Sequence, residues 1–323
     1  METERNQIGV YCLANDGVFE WFQAFVRSLR KFNPTLPLTV IPYNSSVARL
    51  KALQPQFNFS VMEESVANRF DGIAHRVAGQ RLPGGTFRKL CCFFGGYETF
   101  IFLDSDIVVT SKLEPLLRKF ETASGDFVYF DADIAMVYKT EFARQMVAEY
   151  GSAGFTSGSW MARRGSITES EIMTAVESGE KIRDEFSIWG EQPFFNYLFD
   201  VSRRVRLPIG ALTPEISNIP WPNSIFRHDA VNDVYFDGAR RPIPLLHWPG
   251  CEWPTMYRAD VFLRYRTLGM NSGERWCYTL NFYYRRFRAN LKERMKKSRW
   301  FTDWVARRDE RRRRKHLQST LKT

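Results

Sequence analysis

The stretch Thr99-Phe100-Ile101-Phe102-Leu103-Asp104-Ser105-Asp106-Ile107-Val108-Val109 constrains this chain more than any other. An apolar run of that length predicts a buried strand, and it ends in two carboxylates one residue apart. Open α/β sheets bind ligands just outside the carboxyl ends of their strands. Carboxylate oxygens suit hard divalent cations such as Mn²⁺ or Mg²⁺, and such ions commonly bridge to phosphates. Asp104 and Asp106 are therefore candidate ligands for a metal that carries a diphosphate. An acidic pair after a strand is also an ordinary solvated turn, so its neighbours have to decide.

Upstream of that strand the pattern alternates. Ile8 to Asn15 predicts a first strand. A helix from about Val18 to Phe32 follows, with Trp21, Phe25, Leu29 and Phe32 on one stripe. Asn33-Pro34 supplies a break before a second strand, Leu38 to Tyr43. Val47 to Leu53 predicts a short helix and Phe57 to Met62 a third strand. Thr86 to Phe94 predicts a helix that ends at Gly95-Gly96. Strands alternating with helices imply a mostly parallel sheet with right-handed crossovers and helices on both faces. Further on, helices are expected at Leu113 to Phe120, Phe142 to Tyr150, Thr168 to Ser178 and Gln192 to Phe199. Strands are expected at Asp126 to Phe130, Ser157 to Ala162, Val205 to Ile209 and Pro244 to Trp248. Thr213 to Arg241, rich in Pro, Asn and Asp, reads as a long functional loop.

The 323 residues are 44% hydrophobic and 25% charged, a globular composition. The net charge of +10 is local: Arg285 to Lys322 holds 16 Lys and Arg against 4 Asp and Glu, which leaves the remainder at −2. That argues against a basic nucleic-acid groove across the fold, and no specific nucleic-acid partner is expected. The five cysteines show no CxxC spacing, so a zinc scaffold is not expected and a reducing compartment fits. The polar N-terminus lacks the layout of a secretory signal, and no 18-residue apolar run occurs. A cytoplasmic protein is the expectation. The chain is expected to divide into a main domain, 1–270, and a basic, aromatic-containing helical extension, 271–323. In that extension Phe287, Leu291, Met295, Trp300, Phe301, Trp304 and Val305 interleave with dense Arg and Lys. Such a helix can lie on an anionic membrane surface, or pack on the domain and end in a solvated tail.

Six short motifs stand in order: Cys12-Leu13-Ala14-Asn15-Asp16, Phe87-Arg88-Lys89-Leu90-Cys91, Leu103-Asp104-Ser105-Asp106, Phe155-Thr156-Ser157-Gly158, Gly190-Glu191-Gln192 with Asn196, and His247-Trp248-Pro249-Gly250. Together they resemble glycogenin and its relatives, retaining glycosyltransferases of the A-type nucleotide-sugar fold. The resemblance implies that Leu13, Ala14 and Asn15 cradle uridine and that Lys89 reaches the diphosphate, with Arg81 or Arg88 as alternatives. It implies that Ser105, Gly158 and Gly250 join the donor-binding set. Asp104, Asp106 and His247 would be a mixed N/O site suited to Mn²⁺. Glu191 and Gln192 would hold the sugar, whose hydroxyls need both donors and acceptors. Each residue alone has a plainer reading: a solvated helix lysine, a structural histidine after a strand, a helix-start Glu-Gln pair.

Two departures stand out. Thr156 occupies the family's Asn position, and Trp253 stands where the family has a lysine that contacts the diphosphate. Arg258 is a nearby replacement cation. The expected activity is metal-dependent transfer of a hexose from a nucleotide-diphospho-sugar, a UDP-sugar on the resemblance, to a glycan, lipid-linked or protein acceptor, with retention. One rival is a binding protein of the same fold without turnover. Another is a haloacid-dehalogenase-type phosphatase, whose first motif is also a strand ending in Asp-x-Asp and whose later acidic motif Gly125-Asp126 with Asp131 would mimic. A nucleotide-sugar pyrophosphorylase is disfavoured, because no Gly-rich basic loop follows the first strand.

Overall fold

The computed structural model describes residues 8–78, 83–187, 191–217 and 226–297. In chain order the elements begin with β1 (Ile8–Ala14), α1 (Phe19–Phe32), β2 (Leu38–Pro42), α2 (Ala48–Lys51), α3 (Gln54–Phe57), β3 (Ser60–Val61), α4 (Glu64–Ala67) and α5 (Asp71–Ala78). A 3₁₀ segment, Gly84–Phe94, leads into β4 (Thr99–Asp104) and β5 (Ile107–Val109). Then come α6 (Glu114–Glu121), β6 (Phe127–Tyr129), α7 (Thr140–Tyr150), β7 (Ser159–Arg163), α8 (Glu169–Ile182), α9 (Glu191–Val201), β8 (Arg206–Pro208) and α10 (Ile209–Leu212). The last are β9 (Arg227–Asp229), β10 (Val234–Phe236), β11 (Leu245–His247), α11 (Ala259–Arg266) and α12 (Ser272–Lys297).

Seven strands form one sheet in the order β3-β2-β1-β4-β7-β6-β8. β3, β2, β1 and β4 pair in parallel, as the alternating pattern predicts, while β7 is antiparallel to both β4 and β6. The sheet is therefore mixed and mostly parallel, with β4 at the change of direction. Side chains alternate across a strand, and here the alternation makes two cores. Tyr11, Leu13, Phe100, Phe102 and Trp160 face one layer, which α5, the 3₁₀ segment, α8 and α9 cover. Val10, Cys12, Ile101, Leu103 and Met161 face the other, covered by α1 and α6. Strands buried on both faces are why β1 and β4 read as continuous apolar runs.

Local chemistry accounts for the boundaries. Thr168 and Glu171 close a capping box at the start of α8, and Gly151 ends α7 in the left-handed region. The third strand is shorter than expected: Pro55 opens the helical turn α3 and Asn58 turns left-handed, so only Ser60 and Val61 pair with β2. The expected loop from Thr213 to Arg241 holds α10's exit and the hairpin β9–β10, whose turn Asp229 closes by accepting the Val231 and Asn232 amides; residues 218–225 lie outside the described residues. The helices α4 and α5 had no counterpart in the sequence pattern.

By compactness the chain forms two units, Met1–Pro249 with Arg264–Leu268, and Gly250–Leu263 with Gly269–Thr323. The second takes in Gly250–Leu263 besides the extension from residue 271. Its described residues include α12, where Phe282 is buried against Trp253 and Phe262. Among the described residues no helix is long and apolar enough to cross a membrane.

In the first unit Trp160 is fully buried and stacks on Phe93, Phe102 and Phe127, with ring centroids 5.1 to 5.5 Å away. Trp160→Ala is expected to lower the free energy of unfolding by roughly 3–5 kcal/mol, the cost of a large aromatic cavity, measured by urea denaturation. A loss well under 1 kcal/mol would show that this core can collapse around the gap.

Candidate active site and metal centre

β4 ends at Asp104, whose amide donates to the Gly158 carbonyl (2.8 Å) just before β7. The chain turns through Ser105 and Asp106 and re-enters as β5, which pairs antiparallel with β11 in the register His247 to Ile107. The Trp248 amide donates to the Asp106 carbonyl (3.1 Å). This pairing carries His247 from the far end of the unit to Asp106, Nε2 to Oδ1 3.3 Å. α1 holds β5 in place: Ser28 Oγ accepts from the Val109 amide (2.9 Å), and Asn33 Oδ1 accepts from the Leu113 amide (2.7 Å) beyond it.

One ligand atom each from Asp104, Asp106 and His247 lies within 4.8 Å of the others. Two carboxylates and an imidazole are a donor set that Mn²⁺ accepts well and Mg²⁺ tolerates. The spacing and the surplus of negative charge both fit a divalent cation. Gly158 leaves the room for it: a Cβ there would stand 2.4 Å from His247 Cε1 and 2.9 Å from Asp104 Oδ2.

Beside this cluster lies a buried cation. Lys89, on the 3₁₀ segment, is 3% exposed. Its Nζ sits 2.6 Å from Glu191 Oε1 and 3.5 Å from Asp104 Oδ1, and it donates to the Ser157 carbonyl (3.2 Å). Phe102 places its ring under the ammonium at 5.1 Å. Ser157 ties the other side together: its Oγ donates to Glu191 Oε1 (3.0 Å) and its amide donates to Gln192 Oε1 (3.2 Å). Gln192 Nε2 donates in turn to the Met136 carbonyl.

The electrostatics follow from burial and pairing. Burial alone would lower the Lys89 pKa, but Asp104 and Glu191 outweigh it and hold the ammonium above its ordinary value. Burial would raise Glu191, yet Lys89 and then Ser157 bring it below the usual carboxylate range. Burial pushes Asp104 up to about 6, with Lys89 pulling against it and Asp106 adding to it. His247, which burial would lower, is held above its ordinary value by Asp106.

The sequence-expected residues divide clearly. Lys89, Asp104, Asp106, Gly158, Glu191, Gln192 and His247 are brought together, with Ser105 buried in the turn between the aspartates. Leu13 pairs in register with Asp104 across β1 and β4, so Leu13, Ala14 and Asn15 reach the same edge. Asn15 caps the following turn by accepting the Gly17 amide. Arg81 and Gly190 lie outside the described residues. Arg88 does not stand in for Lys89: it forms a bidentate pair with Asp71 (2.8 and 2.7 Å), pairs with Glu64 and donates to the Pro42 carbonyl. Asn196 is structural, accepting from the Phe155 amide and donating to its carbonyl, both at 2.8 Å. In the second unit Gly250 has φ +68°, Trp253 packs on Phe282 and Arg258 pairs with Asp260. Ser157, inside one of the motifs, contributes more than the sequence signals, tying Glu191, Gln192 and Lys89 together.

The galactosyltransferase LgtC, in complex with donor and acceptor sugar analogs, superposes with a TM-score of 0.54 over 83% of this chain and 98% of its own, at 13% identity. An active-site mutant of LgtC gives 0.52 over 80% and 94%, at 14% identity. The bifunctional glycosyltransferase WbbM gives 0.54 over 85% of this chain and 52% of its own, at 16% identity. The chain has the A-type glycosyltransferase fold. No protein-family model and no curated protein matches it, so the likeness rests on three dimensions. This architecture replaces the haloacid-dehalogenase reading. Asp126 serves the sheet instead, accepting the Val205 amide (3.0 Å).

Protons compete with a cation here. Asp104 rises from an ordinary 3.8 to about 6, so the folded, metal-free chain retains a proton that the unfolded chain has lost in that window. Its contribution to stability is full below the lower value and is lost as pH rises through about 6, where a bound cation would offset it. Mn²⁺ is therefore expected to raise the melting temperature clearly at about pH 8 and little at about pH 5, read by thermal scanning. Gly158→Ala is expected to weaken Mn²⁺ about 10–100-fold in a direct titration, because its methyl intrudes between two ligands. Unchanged Mn²⁺ affinity in that variant would move the metal elsewhere.

Proposed function

We propose that this chain is a metal-dependent glycosyltransferase that moves a hexose from a nucleotide-diphospho-sugar, with UDP as the nucleotide, to a glycan, lipid-linked or protein acceptor, retaining the anomeric configuration. The observation that carries the proposal is the triad Asp104, Asp106 and His247 at the carboxyl end of β4, beside the buried Lys89–Glu191 pair, in a fold shared with glycosyltransferases.

Departure of a nucleoside diphosphate builds negative charge on the β-phosphate while the sugar gains oxocarbenium character. Asp104, Asp106 and His247 would hold a divalent cation, which when bound would supply Lewis-acid stabilisation of that charge. Lys89 adds a fixed positive charge that needs no reorganisation, because Glu191, Asp104 and the Ser157 carbonyl already orient its ammonium. Leu13, Ala14 and Asn15 bind the nucleoside at the edge of β1. Gln192 offers the sugar both an acceptor and donors, and Glu191 an acceptor.

One observation favours a second reading, a donor-binding protein without turnover: Trp253 is a packing residue where the resembled family has a diphosphate lysine. Calorimetric titration separates the readings. UDP is expected to bind tightly only with Mn²⁺ present, and Asp104→Ala to abolish that binding. Release of UDP from a UDP-sugar panel would then establish turnover, and binding without release would establish the second reading. No UDP binding under either condition would sink both.

A further inference from the structure

α12 is an amphipathic helix with two apolar faces, of which the second unit covers one. Its inner face runs through Tyr278, Thr279, Phe282, Arg286 and Ala289, each half-buried or buried. Phe282, 1% exposed, anchors it between Trp253 and Phe262. The other face carries Trp276, Leu280, Tyr283, Tyr284, Phe287 and Leu291, all exposed, with Trp276 at 65% and Phe287 at 64%. At about 100° per residue these six fall within an arc of about 100°, roughly opposite Phe282. A contiguous exposed stripe of large aromatic and aliphatic side chains marks an interaction surface.

Charge selects the partner. α12 holds eight Lys and Arg against two Glu, a net +6, and residues 298–323 add nine against three, a further +6. Arg288 stacks its guanidinium on the Tyr284 ring at 5.8 Å, at the border of the apolar arc, and Lys292 follows it one turn on. An aromatic stripe bordered by cations is the pattern of a helix that lies in the headgroup region, aromatic rings down, with its cations on anionic lipids. The same charges bar it from spanning a bilayer. The remainder of the chain, at a net −2, shows that this polarity is a property of the segment and not of the whole surface.

We propose that the Trp276–Leu291 face of α12 docks this protein onto an anionic lipid bilayer. The site of chemistry is not involved, so the inference stands or falls apart from the proposed activity. The test is co-sedimentation of the full chain with phosphatidylcholine vesicles, with and without phosphatidylglycerol, at low and high salt. Wild type is expected to bind the anionic vesicles about tenfold more than the neutral ones, and less at high salt. A Phe287→Ser, Leu291→Ser variant and an Arg288→Glu, Lys292→Glu variant are each expected to reduce the bound fraction about tenfold. All four side chains are exposed, so an unchanged melting temperature checks that the fold survives. Wild-type binding by the Phe287, Leu291 variant would overturn the proposal, as would equal affinity for neutral vesicles. Absence of vesicle binding, with a concentration-dependent dimer that the same substitutions dissociate, would overturn it in favour of a second copy of this chain.

Discussion

Lys89 is a full positive charge with almost no water, and the candidate site is organised around that fact. A buried ammonium is costly unless it is paired and hydrogen-bonded. Here Glu191, Asp104, the Ser157 carbonyl and the face of Phe102 all serve it. These partners come from the end of β4, the turn before β7 and the start of α9. One cation thus orients three elements of one edge of the sheet. Removing it would leave the half-buried carboxylates of Glu191 and Asp104 without the cation they share, which explains why this lysine points inward.

The sheet supplies the position. β4 pairs in parallel with β1 and antiparallel with β7, so the strand that carries Asp104 stands where the sheet changes direction. Crevices for ligands open at such points in α/β sheets. The third ligand requires more than the sheet. β5 and β11 form a separate two-stranded pairing, and its register alone decides that His247, and not Leu246, faces Asp106. A one-residue slip would turn the imidazole to the opposite face.

Much of this was legible in the sequence because burial on both faces leaves an unmistakable apolar run. β1 and β4, the Trp21-Phe25-Leu29 stripe of α1, and Asp104 with Asp106 at a strand end belong to that class. What was hidden depended on partners distant in sequence. Arg88 and Lys89 are neighbours with similar chemistry, yet Asp71, Glu64 and the Pro42 carbonyl claim the first and the site claims the second. Asn196, the last residue of a resembled motif, is a clamp on Phe155. α5 has small side chains, Ala74 and Ala78, beside Ile73 and Val77, so its stripe is weak. The β9–β10 hairpin turns on Asp229 side-chain bonds and not on an Asn-Gly pair.

The charge inventory bears on how a diphosphate would be held. A nucleoside diphosphate brings two or three negative charges to an edge that already presents Asp104, Asp106 and Glu191. Of the cations the sequence offered, Arg81 lies outside the described residues, Arg88 is committed to Asp71 and Glu64, and Arg258 to Asp260. Among the described residues Lys89 remains, and two of the three carboxylates already draw on its charge. Trp253, in the place of a lysine, contributes none. On the proposed function, a divalent cation that Asp104, Asp106 and His247 would hold would supply the attraction that offsets this repulsion. Donor affinity and metal affinity are then one linked equilibrium: each ligand strengthens the other by the same factor, because the aspartates that repel the diphosphate alone hold the ion that binds it.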